Sequence, residues 1–295
     1  MVNMQVATDI FRFLFFPGLL FMALCGGAII FVEGRIRAAL YGGEGPSLRA
    51  TVGGRMDEAV PSLSELVVLV LSLAALGAAG YMLVEVRGDL FTLVLLLSAV
   101  ELFPLFLEFE CEGAEAVYVP LAFRTAFARL AALSCVTVCV SLRFPGQFAA
   151  GLGTFRGEGA FNAVQLWKGL DFAFILASLV LAVLALFLFN LGRPACACFL
   201  EGRARGPLKG VYSLGAQGAE RAATILLYIV LFLGYPWAGA KGVLLWSGAA
   251  LGTAAVLTAA RARAEGRDRV TLRRWQGAGF ILAAISLITA LVAIL

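Results

Sequence analysis

The chain has 295 residues, of which 61% are hydrophobic and only 14% charged, and its formal net charge is +4. Continuous apolar runs near the ~20 residues that cross a bilayer exclude an ordinary soluble domain, and the lack of ~10-residue apolar/polar alternation excludes an outer-membrane barrel. The modest excess of charge, sited beside apolar runs, gives nucleic-acid binding no support.

The expected fold is all-α: a polytopic transmembrane helix bundle of about eight spans. The runs place these near 13–32, 62–84, 89–107, 120–142, 169–191, 221–238, 242–260 and 275–295, as one integral membrane domain covering 1–295. Arg and Lys number fifteen in the odd connections, counting Arg221 at the edge of the sixth span, and five in the even ones. By the positive-inside rule the odd connections (33–61, 108–119, 192–220 and 261–274) are cytoplasmic and both termini lie outside, in a multi-pass protein of the cytoplasmic membrane.

In chain order, the first span is too long for a signal peptide and should be retained. Glu33, Arg35 and Arg37 follow it, before Gly42, Gly43, Gly45 and Pro46 turn the chain. These three charges either set topology or face a docking partner. Leu48–Glu58 has the pattern of a short interfacial helix.

The third span contains Glu101, and Glu108, Glu110, Glu112 and Glu115 follow in a connection without basic residues. A carboxyl in an apolar run must be paired, protonated or open to water, and burial raises its pKa toward the range useful for proton transfer. Arg124 and Arg129 lie on the fourth span. Arg124 can snorkel to the interface, whereas the deeper Arg129 needs a partner, for which Glu101 is the candidate. Ion-coupling candidates are therefore Glu101, Glu108, Glu112, Glu115, Arg124 and Arg129. A structural Glu–Arg pairing is the competing reading. Ser134, Thr137 and Ser141 form a stripe suited to helix packing.

After span five comes the stretch that most resembles a docking platform, Gly192–Arg221. It is long, punctuated by Gly and Pro, and carries Arg193, Arg203, Arg205, Lys209 and Arg221, together with Glu201. Of the six cysteines, only Cys196 and Cys198 are close together, and the chain has no His. A zinc or iron–sulfur site has no ligand set here, and the remaining thiols read as small hydrophobes. No phosphate loop, nucleotide fingerprint or nucleophile elbow occurs, so no catalytic, cofactor-binding or metal residue is assigned.

Four local features resemble a known family. They are Glu33-Gly34 through Gly45-Pro46; Gly88-Asp89-Leu90 followed by Arg124; Gly192-Arg193-Pro194 with Gly206-Pro207-Leu208 and Tyr212-Ser213; and Gly277-Ala278-Gly279-Phe280. The chain resembles the complex I membrane subunit that anchors the peripheral arm, in the hydrogenase-like branch of group 4 membrane-bound nickel–iron hydrogenases and formate hydrogenlyase. As a member it is divergent: Ala195-Cys196-Ala197 stands where relatives carry Phe-Asp, and Lys209-Gly210-Val211 where they carry Glu-Tyr.

The resemblance implies a subunit without a catalytic centre or cofactor of its own, which anchors a redox module and couples electron transfer to H⁺ or Na⁺ movement. Its implied partners are a hydrogenase-like large subunit, an iron–sulfur small subunit and antiporter-like membrane subunits, with the nickel–iron and iron–sulfur centres in those partners. On this reading Glu33, Arg35, Arg37, Arg193, Glu201, Arg203, Arg205 and Lys209 face the docked module. The alternatives are a stand-alone secondary transporter, with Glu101 and Arg129 at a midplane site, and a purely structural anchor.

Overall fold

The computed structural model describes residues 2–15, 18–42, 63–85, 88–108, 119–142, 171–191, 218–233, 240–265 and 269–295. Those residues are helical almost throughout, and none forms a strand. The protein is an all-α transmembrane helix bundle. Its helices are α1 (Val2–Leu14), α2 (Leu19–Tyr41), α3 (Leu63–Glu85), α4 (Leu90–Glu108), α5 (Val119–Leu142), α6 (Asp171–Leu191), α7 (Gly218–Tyr228), α8 (Ala240–Glu265) and α9 (Arg269–Ile294). A π-helical turn, Ile229–Leu233, continues α7. Three stretches, Met4–Leu40, Leu66–Leu83 and Arg274–Ala293, are long and apolar enough to cross a membrane. Shorter apolar helical stretches cover Leu90–Val100, Leu130–Val140, Ala173–Leu188 and Gly248–Ala260.

Several helices outrun the apolar segments that mark them in the sequence. The first expected span ends near Val32, but α2 continues through Glu33, Arg35 and Arg37 to Tyr41. Likewise α8 extends to Glu265 and α9 begins at Arg269, so both flanks of the connection expected at 261–274 are helical. The reason is that Ala, Arg and Leu are strong helix formers in water as well as in lipid. A change of polarity therefore marks the edge of an apolar segment without ending the helix.

Local chemistry sets the ends that are visible. Gly42 caps α2 with φ 70°, and its N–H donates to the Ala38 carbonyl. That left-handed conformation suits glycine. Asp89 caps the start of α4: its carboxylate accepts from the Thr92 N–H at 2.7 Å and from the Thr92 hydroxyl at 2.6 Å. The side-chain bond from Thr92, then the backbone one, hold the Asp89 carboxyl below the usual carboxylate range. Asp89→Ala is expected to destabilise the start of α4 by about 1 kcal/mol, measurable as a lowered unfolding midpoint. Because the folded pKa is depressed, the cap's contribution is present above the unfolded value and lost as pH falls through the folded one. The alanine variant should lose that acid sensitivity.

The chain divides into two compact units. The first comprises Met1–Glu85, Leu95–Ala126 and Pro194–Leu226. Here α1, α2 and α3 pack together, with Met22, Ile29, Leu76, Ala79 and Leu83 buried. Gly80 of α3 leaves the space that Met22 of α2 fills, and Phe13 of α1 lies over Gly77. Small residues of this kind let helices approach closely where lipid supplies no hydrophobic drive for their association.

The second unit comprises Val86–Val94, Phe127–Arg193 and Leu227–Leu295. In it α6 packs along α9. The seam is small and apolar, with Leu179, Ala182, Ala185, Leu186 and Ala283 buried. One polar knot interrupts it. The Ser178 hydroxyl lies 2.9 Å from the Ser286 carbonyl, and the Ser286 hydroxyl lies 2.7 Å from the Ser178 carbonyl. Cys139 of α5 joins them, its Sγ 2.8 Å from Ser178 Oγ and 3.1 Å from Ser286 Oγ. Read from sequence, this thiol is a small hydrophobe; in the fold it is a hydrogen-bonding member of a three-helix contact. Interhelical bonds of this type are worth about 0.6 kcal/mol each on average, so the knot chiefly fixes register.

Candidate functional site

Polarity concentrates in the first unit where α2 meets α7. Glu33 is only 4% exposed, and its carboxylate Oε2 is paired with the Arg221 guanidinium, whose side chain is 19% exposed. The two residues are 188 positions apart in the chain. What brings them together is a crossing of bare backbone. A Cβ placed on Gly26 would fall on the main chain of Gly218, and one on Gly218 would lie 2.9 Å from the Gly26 carbonyl carbon. Only glycine at both positions permits that approach. From Gly26, two helical turns along α2 lead to Glu33, and the first turn of α7 presents Arg221.

This arrangement gives one of the docking candidates a partner within the chain. Glu33 stands among the docking candidates because the apolar run stops just before it. In the fold it sits inside α2, withdrawn from the surface and engaged with Arg221. Arg221 closes the basic stretch in the sequence, but in the fold it belongs to the helix beyond it. The physical reason is cost: a carboxylate on the flank of a packed helix is tolerated only with a cationic partner. Arg35 stays exposed, its guanidinium 5.4 Å from the centre of the Phe31 ring. Arg37 is half-buried on the same helix.

The other candidate residues are located only in part. Glu101 and Glu108 fall on α4, two turns apart on one helix that continues through Pro104. Arg124 and Arg129 fall on α5. Pairing of Glu101 with Arg129 stays a proposal. Glu112, Glu115, Arg193, Glu201, Arg203, Arg205 and Lys209 lie outside the described residues, as do Leu48–Glu58 and the Cys196–Cys198 pair.

Sequence reasoning did not find the Glu33–Arg221 pair, nor Ser178 and Ser286. Each is a polar residue in or beside a long apolar run, and that isolation is the one local signal they give. Their partners are set by which helices pack, which no local pattern encodes.

No family model matches the chain, and no curated protein matches it. Among solved structures, the chain is similar to a chain of the membrane-bound sulfane sulfur reductase (MBS), an archaeal respiratory membrane complex. The identity is 18%, the alignment covers 95% of this chain and 99% of that one, and the TM-score is 0.63. At that identity the match establishes a shared fold along nearly the whole of both chains.

Proposed function

We propose that this chain is a non-catalytic membrane subunit of an energy-converting respiratory complex of the hydrogenase and complex I type. It anchors a hydrophilic redox module and couples electron transfer in that module to movement of H⁺ or Na⁺. The observation that carries this reading is the end-to-end likeness of fold to a subunit chain of a respiratory membrane complex. The local sequence resemblances point the same way. Redox centres, nickel–iron or iron–sulfur, belong on this reading to the partner subunits, and antiporter-like subunits complete the membrane arm.

Within the subunit two roles are separate. Docking falls to the basic connection, through Arg193, Glu201, Arg203, Arg205 and Lys209, helped by the exposed Arg35. Coupling falls to Glu101, Glu108, Glu112 and Glu115 with Arg124 and Arg129, because carboxyls near a membrane boundary can exchange protons when their pKa values are raised. The Glu33–Arg221 pair supports both by fixing α7, and so the end of the docking connection, to α2.

Affinity purification of the tagged chain from its native membrane tests the reading. Co-elution of iron–sulfur proteins and further polytopic subunits is the expected result. In that complex, Glu101→Gln should leave dye-linked redox activity within about twofold of wild type while ion pumping falls about a hundredfold or more, the scale of losing one proton-transfer group. A chain that elutes alone and transports solute by itself would establish the secondary transporter instead. Full pumping in the Glu101→Gln complex would leave the chain as an anchor.

A further inference from the structure

The N-terminal helix α1 is absent from the sequence-based expectations, which begin the first membrane segment at Phe13. It spans only 13 residues, Val2–Leu14. At 1.5 Å per residue that is about 20 Å, short of the ~30 Å hydrocarbon thickness. Yet the apolar stretch it opens, Met4–Leu40, covers 37 residues, far more than the ~20 a crossing uses. The surplus must go somewhere other than straight through the bilayer.

The pattern within α1 indicates where. At 100° per residue, Gln5, Thr8, Asp9 and Arg12 fall in an arc of about 100°, and Met4, Val6, Ile10, Phe11 and Leu14 lie on the remaining arc, which Asn3 alone interrupts in the first turn. All five of those apolar side chains are exposed, Met4 by 80% and Phe11 by 58%, and the Phe11 ring stacks on Phe15 at 4.8 Å. Such a surface does not stand in water. Its continuation identifies what covers it: beyond Gly18 the exposed apolar surface resumes at Leu20 and Leu24 of α2, a helix of the membrane bundle.

The break is built in. The Phe15 N–H still donates to the Phe11 carbonyl in the helical pattern, whereas the Gly18 N–H reaches back six residues to the Arg12 carbonyl, and a Cβ at Gly18 would collide with the Phe13 carbonyl. Phe13, at the edge of the apolar arc next to Val6, packs over Gly77 of α3 and ties α1 to the bundle there.

We propose that α1 lies along the bilayer surface, its apolar arc in the headgroup–acyl boundary and its Gln5–Thr8–Asp9–Arg12 arc toward water. The occupant of the exposed apolar face is lipid. The residues assigned to coupling and docking are not involved, so this inference stands or falls independently of the proposed function.

The test places single tryptophans in the full chain at Met4, Val6, Ile10, Phe11 and Leu14, with Gln5 and Asp9 as controls. Each variant is reconstituted in phosphatidylcholine vesicles brominated near either the headgroup end or the methyl end of the acyl chains. The signal is the quenching gained over the unsubstituted chain. All these positions are exposed, so the fold should survive substitution. At the five apolar positions, shallow bromine should quench at least about twofold more than deep bromine, uniformly along the helix, while the two controls stay unquenched. Quenching that moves steadily from shallow to deep between Met4 and Leu14 would overturn the proposal in favour of a tilted span. Absence of quenching throughout would show the face covered by protein or by water, and would equally overturn it.

Discussion

Replacing Glu33 by alanine is expected to destabilise the protein by about 3–5 kcal/mol, the usual consequence of leaving the other half of a buried ion pair without its counter-charge. Arg221→Ala should cost a similar amount, because the Glu33 carboxylate, almost wholly withdrawn from solvent, would lose the Arg221 counter-charge. The decisive variant is the double one. Glu33→Leu combined with Arg221→Met removes both charges and keeps volume, and buried pairs replaced this way are often neutral or even stabilising. Midpoints of thermal unfolding in a mild detergent for these proteins, with Glu33→Leu and Arg221→Met measured singly as well, would close the cycle. The expected outcome is two poor singles and a double that recovers most of the loss. Singles within about 0.5 kcal/mol of wild type, the level of an exposed pair, would remove the interaction from any role in holding α7 to α2.

The second large effect is steric. Gly26→Ala should destabilise by about 1–3 kcal/mol or more, since the atoms nearest the new methyl are the Gly218 main chain, which cannot swing aside as a flexible side chain could. Separating the two backbones would also draw Arg221 away from Glu33, so part of the ion-pair loss should appear in the same variant. Gly252 of α8 supplies the control, because among the described residues nothing lies within 4 Å of a Cβ built there. Gly252→Ala should stabilise by up to about 1 kcal/mol through helix propensity alone. Identical chemical changes are thus expected to have opposite signs, and equal midpoints for the two would refute the close crossing.

Several features of the fold could be read directly from residue order. Long runs without alternation require backbone hydrogen bonds to close within each segment, which in lipid leaves the helix; this fixes the all-α class before any packing is known. Asp89 ahead of an apolar run, with Thr three residues on, marks a helix start, and the Gly-rich turn after Tyr41 marks a helix end. Both are settled within a few residues by local hydrogen bonding and φ preference. Local rules served less well at polarity boundaries. Reading a helix end at Glu33 confuses the edge of an apolar run with the edge of a helix, and Ala- and Arg-rich sequence continues the helix past it. The same confusion hides α1, whose alternation of polar and apolar residues keeps its average hydropathy below that of the span it precedes.

Composition and sequence pattern were enough to establish that this chain is a helical membrane protein and where its most apolar segments lie, because those properties are sums over neighbouring residues. They could not say that Gly26 meets Gly218 among 33 glycines, or that Glu33 is matched with Arg221. Nor could they join Cys139, Ser178 and Ser286 from three separate helices. Those pairings depend on which helix faces touch, and contact between faces far apart in the chain is decided only when the whole bundle packs.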